Sequence, residues 1–168
     1  NLLLLEDRWM LSTLNQTIQN INTALTSYHF DQAAARAYEF FWNDFCSIYL
    51  EASKPVLFGK AGTPEIRTNK QKILVIVLLN AIRLLHPITP FITEELFSQL
   101  KETFLNPVAG ANADVYTRDA IYSLQGIACI HAPYPQVLNE TDIDPVIEAK
   151  FLSIYELVRL IRHIRTEM

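Results

Sequence analysis

The stretch Ile73-Leu74-Val75-Ile76-Val77-Leu78-Leu79-Asn80-Ala81-Ile82-Arg83-Leu84-Leu85 decides the fold. Its first seven residues are all apolar and, taken alone, suit a buried strand. The apolar pattern runs on through Ala81, Ile82, Leu84 and Leu85, which gives a length suited to a helix. A helix apolar on nearly all sides belongs at the centre of a bundle. It is too short for a bilayer, which takes about 20 residues, and Lys72 and Arg83 flank or interrupt it.

Partner helices lie on both sides. Upstream, Leu11, Leu14, Ile18, Ile21 and Leu25 recur at alternating spacings of three and four, the stripe of an amphipathic helix over Asp7–Leu25. A second helix is expected from a cap at Asp31 to about Ser53, ended by Pro55. Its stripe is Ala34, Ala37, Phe41, Phe45 and Ile48, widened by Trp42, Cys46 and Tyr49. Downstream, Pro87 stops the central helix, and Thr89-Pro90 starts another to Phe104 with Phe91, Leu96, Phe97 and Leu100 on its buried side. Residues 127–131 read as a short strand, and Ala149–Arg165 as a helix lined by Phe151, Ile154, Leu157, Val158, Ile161 and Ile164. The expected architecture is mainly α: an antiparallel helix bundle over 1–105 and a small mixed α/β C-terminal extension over 106–168.

The chain has 168 residues, half of them hydrophobic, and a formal charge of −4, which excludes a polycationic nucleic-acid coat. Any polyanion must therefore meet a local patch. The clearest is 54–72, read as a loop, where Lys54, Lys60, Arg67, Lys70 and Lys72 face only Glu65, a net +4. Only 4 glycines occur, too few for a turn-rich all-β fold, and Cys46 and Cys129 read as free cytosolic thiols. No signal peptide opens the chain, because Glu6-Asp7-Arg8 ends the first apolar run at once. It starts without Met and stops at Thr166-Glu167-Met168 with helix periodicity still running, as expected of a piece of a longer protein.

Catalytic signatures are missing. There is no Gly-x-Ser-x-Gly, no Gly-Lys-Ser/Thr, no His-Glu-x-x-His and no Cys-x-x-Cys, so neither a catalytic residue nor a metal site is expected. Asp142 and Asp144 read as a helix cap near Pro145, and His86 as a cap or packed residue. A bundle with a basic connection at one end can instead hold a nucleic-acid loop, by stacking on unpaired bases and by phosphate contacts. In an antiparallel pair, helix 1 begins where helix 2 ends, which gathers Arg8, Trp9, Glu51 and Lys54 with the basic segment. From composition alone a structural or protein-interaction bundle with no RNA role is the stronger reading.

Motifs reverse that balance. Asp7-Arg8-Trp9-Met10-Leu11-Ser12, then Phe40-Phe41-Trp42-Asn43-Asp44-Phe45-Cys46-Ser47-Ile48-Tyr49-Leu50-Glu51 with Lys54-Pro55, resembles the anticodon-binding helical domain of class I aminoacyl-tRNA synthetases. Leu85-His86-Pro87-Ile88-Thr89-Pro90-Phe91-Ile92-Thr93-Glu94-Glu95-Leu96 is similar to a segment shared by the valyl, isoleucyl and leucyl branch. Ala132-Pro133-Tyr134-Pro135 and Ile161-Arg162-His163-Ile164-Arg165-Thr166-Glu167-Met168 look most like the valyl members. The resemblance implies a bundle that contacts a transfer RNA anticodon stem-loop, in a cytoplasmic parent that joins valine to its transfer RNA with ATP. The His-x-Gly-His and Lys-Met-Ser-Lys-Ser signatures are absent, so this chain is expected to hold no cofactor, with ATP bound only by the parent's missing catalytic domain. A monomer off the membrane is expected. The tRNA-binding candidates are Arg8, Glu51, Lys54, Lys60, Arg67 and Lys70, with Glu51 as acceptor for a base amine and Lys54, Lys60, Arg67 and Lys70 on phosphates. A packing role is expected for Trp42; Asn43, Arg162 and Arg165 stay open.

Overall fold

The computed structural model describes residues 2–104, 108 and 110–167, with side chains to 165. Its helices are α1 (Leu5–Thr26), α2 (Phe30–Glu39), a π-helical segment (Phe40–Tyr49), α3 (Leu50–Leu57), α4 (Pro64–Leu85), α5 (Pro90–Thr103), α6 (Val115–Leu124) and α7 (Pro145–Glu167). α4 is the centre, as its composition predicts. Ile73, Ile76, Val77, Leu79, Ala81, Ile82 and Leu84 are all buried, and α1, α2, α3, α5 and α6 pack around it. None of the described helices is long and apolar enough to cross a membrane.

The extension carries no strand among the described residues. Residues 129–131 form a single 3-10 turn, the Cys129 amide is taken by the Glu94 carboxylate at 2.8 Å, and Ile127 and Ile130 are exposed. The expected boundary at 105/106 lies outside the described residues. Tyr116, Ala120, Leu124, Ile147 and Phe151 belong to the same core cluster as α1 and α4. Buried Arg83 ties α4 to this part: it donates to Asp119 (2.5 Å), Ser123 (2.5 Å) and the Pro133 carbonyl (3.1 Å). On α5 the buried face is Thr93 and Phe97, and Phe91, expected inside, is 92% exposed.

The second helix is one continuous rod from Phe30 to Leu57. Asp31 sits in its first turn rather than at the cap, which is His29. Pro55 does not end it. The proline lies inside α3 near its C-terminus, where the carbonyls rather than the N–H groups run out of helical partners, and its own carbonyl accepts from Lys60 (2.8 Å) and Ala61 (3.1 Å). Its buried stripe is Ala33, Ala37, Phe40, Phe45, Tyr49, Ser53 and Val56. The step of five from Phe40 to Phe45 would swing the next contact about 140° away in an α-helix. The π segment absorbs it, because i→i+5 bonding closes a wider turn: the Leu50 amide donates to the Phe45 carbonyl, and Ser47 Oγ donates to the Trp42 carbonyl at 2.8 Å. The widened turn leaves Trp42 55% exposed, against the packing role expected of it.

A buried ionic cluster fixes one pole of the bundle. Lys70 Nζ donates to Asp7 Oδ1 (2.5 Å) and Glu6 Oε1 (2.9 Å). Tyr49 Oη donates to the same Asp7 oxygen (2.7 Å), and Lys70 Nζ lies 5.2 Å from the Tyr49 ring centre. Burial and the Asp7 charge push the Tyr49 phenol far above its ordinary range, so it stays a donor. The other Asp7 oxygen accepts from the Leu4 amide at 2.9 Å and closes the first turn of α1. One carboxylate thus joins α1, the π segment and α4.

Two outcomes follow from this packing. Lys70→Met should cost about 3–5 kcal/mol, because Asp7 is left buried without its cation; Asp7→Asn with Lys70→Met should recover at least about half of that in urea denaturation. A double variant no more stable than Lys70→Met would show that the pair is not the cause. Deleting Asn43 reduces the step of five to four and lets the rod close as an α-helix, so a single cooperative urea transition should survive. Deleting Asn20 from α1, which displaces Ile21, should abolish it.

Candidate nucleic-acid interface

The end of α3, the turn at 58–63 and the start of α4 lie at the pole that the Lys70 cluster fixes. Lys54 stands five residues past Tyr49, and Arg67 one turn before Lys70. The first turn of α1 is there too, since Glu6 and Asp7 meet Lys70 and Leu2 accepts from Asn69. Residues 54–72 are therefore not one loop: Lys54 is on α3, and Arg67, Lys70 and Lys72 are on α4.

The turn is built from two end signals. The Gly59 amide donates to the Val56 carbonyl and the Lys60 amide to the Pro55 carbonyl, the paired bonds of a Schellman stop. Gly59 holds φ +70 there, a left-handed conformation that costs a side-chain residue about 1–2 kcal/mol. At the restart, Thr63 Oγ1 accepts from the Ile66 amide and Pro64 occupies the first helical position. Between the two helix ends lies an open cleft lined by Val56, Gly59, Gly62, Arg67, Thr68 and Gln71.

The structure separates the six candidates. Lys70 is a correction: its side chain is fully buried between two carboxylates, so it cannot reach a phosphate. Lys54 is exposed but paired with Glu51, so each is held by the other. Lys72, the remaining cation of the basic segment, pairs with Asp114 at 2.8 Å. Among the described residues no carboxylate pairs with Lys60 or Arg67, and both are exposed. Arg8 is at the same pole on a different face, half-exposed and 3.8 Å from Asp144 across to α7. The cationic surface of the turn thus reduces to Lys60 and Arg67, with Lys54 available if its pair opens. Glu65 sits beside them, its carboxyl held low by hydrogen bonds from Thr63 and its own backbone.

Phe58 was missed by the sequence reading. It is the C-cap of α3 and 70% exposed, between Lys54 and Lys60. An aromatic directly before a glycine in a basic segment was the available signal: the glycine ends the helix and leaves the ring outside the core. A solvent-facing ring flanked by cations is the arrangement that stacks on an unpaired base. Asp142 and Asp144, as expected, are structural: Asp144 accepts the Val146 and Ile147 amides and Asp142 accepts the Tyr116 hydroxyl. His86 is held through Nδ1 by Thr93 at 2.8 Å.

Gly59→Ala should lower stability by about 1–2 kcal/mol in urea denaturation without changing the helical signal, because only the turn is strained. An unchanged midpoint would show that the left-handed stop contributes nothing.

Known proteins place this geometry. The family described as anticodon-binding domain of tRNA ligase matches residues 7–168. The valine–tRNA ligase of Protochlamydia amoebophila is 54% identical over 98% of this chain and 17% of its own length. Those of Chlamydia felis and Chlamydia caviae are 44% and 45% identical over the whole chain and 18% of theirs. The chain spans under a fifth of the relatives it matches. A bundle ordered around α4, with a cationic turn at one pole and a family match from its first helix to its last, belongs to the anticodon-binding domains of tRNA ligases.

Proposed function

We propose that this chain holds the anticodon stem-loop of a transfer RNA for a valine–tRNA ligase, and that the pole carrying Phe58, Lys60 and Arg67 is the contact surface. The observation that carries the reading is the pair of exposed cations, paired with no carboxylate among the described residues, that flank an exposed ring at the α3–α4 turn, in a chain whose relatives bear that ligase's name. Lys60 and Arg67 neutralise loop phosphates, and Phe58 stacks on an unpaired base. The exposed Glu51–Lys54 pair is of a kind worth little in water. It opens on binding, so that Lys54 turns to a phosphate and Glu51 accepts from the exocyclic amine of a loop base. Arg8 extends the surface along α1. Lys70 acts from inside, by holding α1, the π segment and α4 in register.

In this reading the parent enzyme joins valine to its transfer RNA with ATP in the cytoplasm. The chemistry lies in the rest of the parent, and this chain acts as a monomeric binding module. Isoleucyl and leucyl enzymes are separated from it by the anticodon: a valine-type module prefers a loop ending in A-C over one ending in A-U.

Fluorescence-anisotropy titration of the two stem-loops tests this. Phe58→Ala should cost about 1–3 kcal/mol of binding, the worth of one stack. Lys60→Gln with Arg67→Gln should reduce the slope of log K against log salt by about 1–2, at roughly 0.7 per single-strand phosphate contact. Salt-independent binding, or no preference between the loops, would remove the assignment. A labelled chain with no chemical-shift change on adding either RNA would favour a purely structural bundle.

A further inference from the structure

α1 and α4 leave the Lys70 pole side by side. Lys70 meets Glu6 and Asp7, Leu11 and Ile76 line one cavity farther on, and each helix has 22 residues, about 33 Å. Their ends therefore share the opposite pole. The turn after α1 carries Tyr28 and Phe30, and the one after α4 leads through Ile88 to Phe91 and Ile92; all five are exposed, Tyr28 80% and Phe91 92%. α1 and α4 pack on each other, so the two turns stand about 8–10 Å apart. Glu94, by taking the Cys129 amide, brings exposed Ile130 to the same patch.

The first of these turns is strained. The Tyr28 amide donates to the Leu25 carbonyl (3.1 Å) and the His29 amide to the Ala24 carbonyl (2.8 Å), the same helix stop as at Gly59. Here the left-handed position is held by Tyr28 at φ +60, the one non-glycine residue with positive φ among those described. A glycine would close this stop without strain. What the tyrosine adds is a ring at the tip, set edge-on to Phe30 with centroids 6.2 Å apart. Strain retained for the sake of a surface ring points to a contact outside the bundle.

The charge of this pole selects the partner. From 22 to 35 and from 84 to 100 the chain has no Lys or Arg, against Asp31, Glu94 and Glu95. Such a face repels a phosphate backbone, and a second copy would set the same carboxylates against one another. α7 differs: its Ile154, Leu157, Ile161 and Ile164, expected to line its inner side, are exposed too, but they run among Arg159, Arg162 and Arg165. More than four fifths of each relative lies outside the stretch this chain matches.

We propose that the rest of the parent ligase docks on this pole, through a surface that receives Tyr28 and Phe91 in apolar pockets and meets Asp31, Glu94 and Glu95 with basic side chains at its rim; this rests on the reading of the chain as one module of that ligase. Aromatic anchors at the centre of a patch with a polar rim are where interfaces concentrate their binding energy. With RNA at one pole and the ligase body at the other, the bundle is the spacer that sets the distance between them.

The test follows amide exchange by mass spectrometry in the full-length ligase, unsubstituted and with Tyr28→Gly or Phe91→Ser. Phe91→Ser should speed exchange about tenfold at 27–30, on the other turn, because one dock protects both. Tyr28→Gly should do the same at 88–92, and exchange at 58–63 should not move in either variant. Valine charging should fall about tenfold with each, while affinity for an anticodon stem-loop holds within about twofold. Phe91 is exposed and Tyr28→Gly relieves strain, so an unchanged far-ultraviolet signal is expected and excludes misfolding. Loosening confined to the substituted turn overturns the dock and leaves the RNA reading intact, as does exchange at 27–30 and 88–92 as fast as at 58–63 in the unsubstituted ligase. Protection of this pole that rises with ligase concentration gives the face to a second copy and overturns the dock as well. Loss of stem-loop binding in these variants, with Lys60→Gln/Arg67→Gln binding normally, moves RNA to this pole and overturns both readings.

Discussion

The Asp7 carboxylate is the constraint on which the rest depends. It is buried and must be compensated, and the groups that compensate it come from three elements: Lys70 of α4, Tyr49 of the π segment and the Leu4 amide that opens α1. Burying a carboxylate and an ammonium is costly, and the pair returns that cost only in one geometry. The hydrophobic stripes bring α1, α3 and α4 together but leave freedom to slide. The ionic cluster removes that freedom at one end, and everything assigned to RNA stands within a few turns of it.

The same cluster explains why a segment of net +4 presents so little free charge. Lys70 is spent on the fold, Lys72 on Asp114 and Lys54 on Glu51. What remains is two cations and an aromatic ring on a turn stiffened by a helix stop and a helix start. That suits recognition of a short loop better than a broad attraction to polyanions, and it agrees with an overall charge of −4.

The helices were legible where one period ran unbroken. α1 shows its stripe from Leu11 to Leu25, and α4 its all-round apolarity. The rod of α2 and α3 was legible as a helix but not in its facing, because a wheel drawn at 3.6 residues per turn assumes that no turn widens. The step from Phe40 to Phe45 broke that assumption, moved Phe40 inside and left Trp42 outside. The short strand at 127–131 failed for lack of a partner strand, which no local pattern reports. At the site, the pole was legible from the antiparallel order of the first two helices. The role of Lys70 was not, since burial of a lysine depends on Asp7, 63 residues away in sequence; that of Phe58 was legible only through the glycine that follows it and stops the helix.

The π segment also sets how the rod can vary. It works as a phase shifter: the azimuth of everything beyond Tyr49 is decoupled from the azimuth of everything before Phe40. The half that packs beneath α1 and the tip that carries Glu51, Lys54 and Phe58 can each keep their own alignment, and one residue lost between them is taken up by a narrower turn, so that Tyr49, Ser53 and Val56 stay on the buried side. A binding tip mounted this way keeps its aim through a change in the length of a single segment, with no change in the identity of any residue it carries.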